Sequence, residues 1–165
     1  MNAFQSPGSV LAVHPTASGF GWAVFDDQGS LNEWGIASSK GGRKPQLIRR
    51  FNQLLTRFEP SVLVLEDHQG ERAQRIIKLY NRFARAAADA GVRGYTYDRE
   101  AITAALDIPA RSSRYEVALK VADLLPELSH RIPRKQLFGA SEDPRQSLFA
   151  AAALALTYLT AMGIR

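Results

Sequence analysis

The chain has 165 residues, 45% of them hydrophobic and 22% charged, an ordinary balance for a soluble globular protein that suits one domain and excludes a disordered polyelectrolyte. It contains no cysteine, which excludes disulfides and thiolate zinc sites. The formal charge of +5, from 21 Lys and Arg against 16 Asp and Glu, favours an anionic partner such as nucleic acid. The longest apolar run, Leu148 to Leu159, is too short to span a bilayer, and the N-terminus lacks the basic and then apolar regions of a signal peptide. No membrane partner is expected, and cytoplasmic residence is the expectation.

Ser9 to His14 reads as a strand, and after the turn-rich Pro15 to Gly19 a second apolar segment runs from Phe20 to Phe25. Asp26-Asp27-Gln28-Gly29 supplies a turn, and Leu31 to Ala37 alternates as a third strand. These three make an antiparallel meander. Ser38 to Lys44 is a loop, and Pro45 sits where a first helical turn tolerates it. Leu47, Ile48, Phe51, Leu54, Leu55 and Phe58 then recur at three and four residues, predicting an amphipathic helix ended by Pro60.

Val62 to Leu65 has no polar alternation, as suits a central strand buried on both faces, and it delivers Glu66, Asp67 and His68 to its C-terminal edge. Glu71 to Ala90 reads as a long helix stopped by Gly91, and Val92 to Tyr97 as a fifth strand. Helices follow over Arg99 to Leu106 and Ser113 to Leu125, divided by Pro109. A loop covers Glu127 to Ser141, and a final helix Asp143 to about Met162. The predicted fold class is α/β, one mixed five-stranded sheet of three antiparallel strands followed by parallel crossovers, with helices on both faces.

Val10-Leu11-Ala12-Val13-His14-Pro15, followed by Gly19-Phe20-Gly21-Trp22-Ala23-Val24, resembles the opening of RuvC-type Holliday-junction resolvases, members of the RNase H-like superfamily. There an apolar strand ends in Asp-Pro-Gly and a Gly-aromatic-Ala/Val strand follows; here His14 replaces the acid. Val62 to Glu66 resembles the second signature, a buried strand ending in a catalytic Glu, so Glu66 carries over. The third signature is an acidic pair at the start of the last helix, followed by an Ala- and Leu-rich run. Ser141 to Leu156 has that character, with Asp143 retained and with Ala150, or Gln146 or Ser147 in its place, standing where the essential Asp is expected.

The resemblance covers nearly the whole chain in order and spacing of elements. It implies a dimeric, metal-dependent endonuclease acting on branched DNA, using Mg²⁺ or Mn²⁺. In that fold two divalent ions ~3.5 to 4 Å apart clamp the scissile phosphate, and Mg²⁺ demands oxygen ligands converging from separate segments. The carried-over metal ligands are Glu66 and Asp143, with Glu142 and Asp67 as helpers. An imidazole at position 14 brings no negative charge and suits Mn²⁺ or Zn²⁺ better than Mg²⁺. Read from the residues alone, His14 is as readily a hydrogen-bonded or surface histidine as a metal ligand, and Asp143 before Pro144 suits an N-cap.

Arg72, Arg75, Lys78, Arg82 and Arg85 form a stripe along one helix, suited to backbone phosphates or simply to a solvated face. Arg111, Arg114 and Lys120 precede the last helix; the resemblance places a basic residue of this region near the phosphate, and Arg114 matches best. Arg131, Arg134 and Lys135 add charge to the long loop, while Trp22 and Trp34 read as core. The expected function is a RuvC-like protein that binds branched or duplex DNA with metal-dependent cleavage impaired or lost. The alternatives are an active endonuclease with an unusual ligand set and a non-catalytic interaction subunit.

Overall fold

Three strands, Val10–Pro15 (β1), Gly19–Phe25 (β2) and Leu31–Ser38 (β3), form the antiparallel meander, and Val62–Glu66 (β4) and Arg93–Tyr97 (β5) join it in parallel to give the order β3-β2-β1-β4-β5. The computed structural model describes residues 8–39, 43–67, 74–135 and 143–165, the Arg75 side chain excepted. The hairpins close where the turn residues predict. Asp26 Oδ1 accepts from the backbone N–H groups of Gln28 and Ser30, each at 2.9 Å, the local bonding that makes Asp a turn former.

Helices Lys44–Phe58 (α1) and Gln74–Asp89 (α2) are the two crossovers and cover one face of the sheet. Arg99–Ala105 (α3), Arg114–Leu124 (α4) and Arg145–Ala161 (α5) cover the other. The period-2 alternation of strands sorts the central residues between them. Leu11, Val13, Leu63 and Leu65 face α1 and α2, whereas Val10, Ala12, Val62 and Val64 face α5. The first core is built on three aromatic rings, Phe51 stacked on Phe83 at 4.2 Å between centroids with Phe20 edge-on to Phe83 at 5.0 Å. Such pairs contribute ~0.5 to 1.5 kcal/mol beyond their burial.

The second core is α5 itself, which lies between the sheet and α4 and is buried almost all round. Its Ala-rich sequence is what lets it approach so closely. At Gly21 the β2 backbone meets the α5 backbone directly: a Cβ there would lie 2.2 Å from the Ser147 carbonyl carbon. Trp22 and Trp34 are both partly buried against these cores, on opposite faces of the sheet.

One expected loop is partly ordered as helix. Pro126–Arg131 forms a 3₁₀ helix because Pro126 sits at its first turn and Leu128 is wholly buried, pulling the backbone inward, while the Ser129 hydroxyl bonds back to the Pro126 carbonyl. The remaining boundaries fall within about two residues of those expected, apart from the start of α2, whose expected first residue, Glu71, lies outside the described residues. Among the described residues no helix is long and apolar enough to cross a membrane.

Candidate functional site

The alternation that buries Val10 and Ala12 against α5 also turns His14 to that side, and the parallel register of β1 with β4, Ala12 opposite Val64, brings Glu66 beside it. His14 is 6% exposed, and its Nδ1 stands 3.3 Å from Glu66 Oε2. The two adjacent strand ends thus form the base of a cleft, whose wall is α5. Gln146, Ala150 and Ala153, spaced so as to share one helical face, line it.

Two arginines stand at the mouth of the cleft, each placed by a helix cap. Asp98 Oδ1 accepts from the Ala101 N–H at 2.8 Å and starts α3, so that Arg99 is its first residue. Ser113 Oγ accepts from the Glu116 N–H at 3.1 Å while Glu116 Oε1 accepts from the Ser113 N–H at 3.2 Å, a full capping box that starts α4 at Arg114. Both arginines line the cleft with His14 and Glu66. Arg99 also donates to the Ser112 carbonyl, tying α3 to the start of α4. Ile102, Thr103 and Val117 complete the lining, apolar apart from the Thr103 hydroxyl, which bonds to the carbonyls of Arg99 and Glu100.

Asp143 lies in a neighbouring cleft that shares His14 and includes Thr16, Ser18 and Ser147. Its carboxylate is engaged on every side: Arg145 Nη2 at 2.6 Å, Arg145 Nε at 3.0 Å, the Arg145 N–H at 3.0 Å and the Arg134 N–H at 3.0 Å. The Arg145 guanidinium first, and then these backbone donors, hold its carboxyl well below the usual range against the opposing effect of burial. The expected N-cap role is not what the structure shows: Pro144 is the N-cap of α5, without a side-chain cap bond, and Asp143, one residue earlier, forms a turn by accepting from the Arg145 N–H. The bidentate arginine was not expected.

The other expected site residues are dispersed. Asp67 follows Glu66 but turns to the opposite side, where burial first and the Asp67 charge second push the Tyr80 phenol up. Lys78 and Arg82 are exposed on α2, across the sheet from the cleft, and Arg111 is exposed and Lys120 half-buried near α4, neither lining it. Arg72, His68, Glu71 and Glu142 lie outside the described residues, as does the side chain of Arg75. Among the described residues no three of His, Asp and Glu gather at one point.

Two residues of the cleft were underrated from sequence. Arg99 was read only as the start of a helix, although its position just after β5, next to the strand bearing Glu66, is where open α/β sheets gather functional groups. Gln146 stood behind Ala150 as the residue replacing the missing acid, yet both face the cleft, one helical turn apart.

No protein-family model and no curated protein matches the sequence. Solved structures do match. Thermus thermophilus RuvC superposes with a TM-score of 0.69 at 23% identity, covering 94% of this chain and 96% of that one. The T. thermophilus RuvC complex with Holliday junction substrate gives 0.69 at 21% identity, covering 95% and 97%. The yeast mitochondrial Holliday junction resolvase gives 0.64 at 12% identity over 96% and 80%. The chain therefore has the RNase H-like fold in its RuvC-type form.

Proposed function

We propose that the chain is a RuvC-like nucleic-acid-binding protein that holds a backbone phosphate of branched DNA at the His14 cleft, with metal-dependent cleavage weak or absent. The observation that carries this reading is the make-up of the cleft: His14 and Glu66 at its base, Gln146 and Ala150 on its wall, Arg99 and Arg114 at its mouth. Among the described residues the cleft offers one carboxylate and one imidazole, which do not fit a pair of Mg²⁺ ions, since these need several converging oxygen donors. Asp143, in the neighbouring cleft that shares His14, is committed to Arg145.

Two guanidiniums, by contrast, suit a phosphate, since their planar donors bind its oxygens in pairs. Arg99 and Arg114 grip the phosphate from the two helix starts, His14 and Gln146 offer further polar contacts, and Glu66 orients the imidazole. The fold supports the DNA partner by analogy, as resolvase structures that match this chain contain Holliday junction DNA. A second reading, an active nuclease with a different metal, draws on the 3.3 Å separation of the imidazole nitrogen and the carboxylate oxygen, a pair suited to Mn²⁺ or Zn²⁺.

The test is binding and cleavage of a labelled four-way DNA junction in Mg²⁺ and in Mn²⁺. The protein is compared with His14→Asp/Gln146→Asp, His14→Asp/Ala150→Asp and Arg99→Gln/Arg114→Gln. The expected outcome is junction binding without cleavage by the unmodified protein, cleavage gained by a double Asp variant, and binding weakened by loss of the arginines. Cleavage by the unmodified protein overturns the inactive reading and favours the Mn²⁺ one. Absence of junction binding overturns both.

A further inference from the structure

We propose that the outer face of α1, continued by α2, is a second nucleic-acid surface, taking the phosphate backbone of a DNA duplex on the side of the sheet opposite the His14 cleft. The positive charge of the chain is not evenly spread. Helix α1 carries Lys44, Arg49, Arg50 and Arg57 and no acid, and α2 carries four basic residues against Asp89 alone. On the other layer α3, α4, the 3₁₀ helix and α5 carry five basic residues against four acidic ones. The layer that bears the cleft is therefore close to balanced, and most of the excess lies behind it.

The geometry suits a polyanion of regular spacing. Arg49, Arg50, Lys78, Arg82 and Arg85 are all exposed. Arg50 and Arg57 lie seven residues apart on α1, ~10 Å along its axis, with Gln53 between them, and all three line a groove between α1 and the β2–β3 hairpin. Arg57 is anchored at the groove end by Glu33, at 2.8 Å, and lies over the Phe58 ring. That leaves Arg50 as the forward cation of the groove, with Arg49 exposed beside it on α1.

The floor of the groove argues for duplex backbone over stacked single strand. Trp22 lies against β3 in the space that the absent side chain of Gly35 leaves, where a Cβ would come within 2.8 Å of the indole. Held there and only partly exposed, the indole is a floor, not a platform for bases, so contacts run to phosphates through guanidinium and amide groups. An anionic membrane fits less well. It calls for apolar side chains on the same face, and the large exposed hydrophobics among the described residues are Leu119 and Met162, neither on α1 or α2.

The experiment uses a linear DNA duplex without a branch, titrated across salt concentrations. The full chain is compared with Arg49→Glu/Arg50→Glu, with the neutral Arg49→Gln/Arg50→Gln, and with Arg99→Gln/Arg114→Gln. Thermal melts confirm that each variant is folded. Each binding measurement is repeated with Trp34→Phe, which leaves Trp22 as the reporter of the groove. Charge reversal on α1 is expected to weaken duplex binding by about tenfold or more and to lower the salt slope by about two units, a larger loss than Arg99→Gln/Arg114→Gln produces on the same duplex. Trp22 fluorescence should change on binding.

Duplex binding that ignores the α1 substitutions, with a silent Trp22, overturns this surface and leaves the cleft reading standing. Junction binding that ignores Arg99→Gln/Arg114→Gln but falls with the α1 variants sustains the surface and sinks the cleft reading. Binding to anionic phosphatidylserine vesicles but not to duplex overturns the choice of partner.

Discussion

Arg145 holds Asp143 by two guanidinium nitrogens, Nη2 at 2.6 Å from Oδ2 and Nε at 3.0 Å from Oδ1, across the single residue Pro144. The pair locks the carboxylate at the start of α5, and the N–H of Arg134 fastens the preceding segment to it at 3.0 Å. Because the native carboxyl lies well below its ordinary value, its stabilising contribution is complete above about pH 4, the unfolded Asp range. It is lost as pH falls toward the depressed native value. The Tm advantage of the protein over Asp143→Asn should therefore be widest at pH 7 and shrink steadily below about pH 4. An advantage unchanged at pH 3 contradicts the pairing.

Gly21 is the contact point on which α5 rests, with room for no side chain between β2 and the Ser147 backbone. Gly21→Ala should cost about 3 kcal/mol, lowering Tm by about 6 to 12 °C, since the obstruction is backbone and cannot rotate away. Differential scanning calorimetry measures the shift. Junction binding should fall with it, because the start of α5 carries Gln146 into the cleft. A variant as stable as the parent shows that α5 sits elsewhere.

The capping box at Ser113 sets where α4 begins, and so where Arg114 stands. Ser113→Ala removes the side-chain acceptor and should cost about 1 kcal/mol by denaturant unfolding. Ser113→Asp, which caps as well, should recover most of it. If Arg114 depends on the cap, junction affinity follows the same order, whereas equal affinity in both variants detaches the arginine from its cap.

Phe83 is wholly buried between Phe20 and Phe51 on the α1 and α2 side. Phe83→Ala should destabilise the fold by about 3 to 5 kcal/mol. The cleft lies across the sheet, so any folded fraction should still bind a junction with affinity close to that of the parent. Loss of affinity in fully folded protein would mean that the two layers are coupled.

Local pattern was enough to read the strands and helices. The apolar period in Leu47, Phe51 and Leu54, the unbroken run Val62 to Leu65 and the turn residues Asp26 to Gly29 are each short-range signals that the fold honours. The order of those elements was enough to expect a mixed five-stranded sheet with helices on both faces, and the strand-end motif pointed to His14 and Glu66, which the sheet register brings to 3.3 Å of each other. Strand alternation is a property of the backbone, so which residues point the same way follows from counting.

What the chain could not disclose by itself is which side chains from distant segments share a space. By residue type Arg99 and Arg114 look alike to Arg111 and Lys120, and only the family resemblance marked Arg114 out. Only the packing of α3 and α4 over the strand ends brings the first two to the mouth of the cleft and leaves the others outside it. Asp143 reads as an N-cap or a metal ligand until the fold supplies Arg145 and the Arg134 N–H at hydrogen-bonding distance. The concentration of charge on α1 and α2 becomes a surface only once both helices lie on one side of the sheet. Hydrophobic periodicity is encoded within a few neighbouring residues, whereas the field and contacts at a site are sums over segments far apart in the chain, which tertiary packing alone decides.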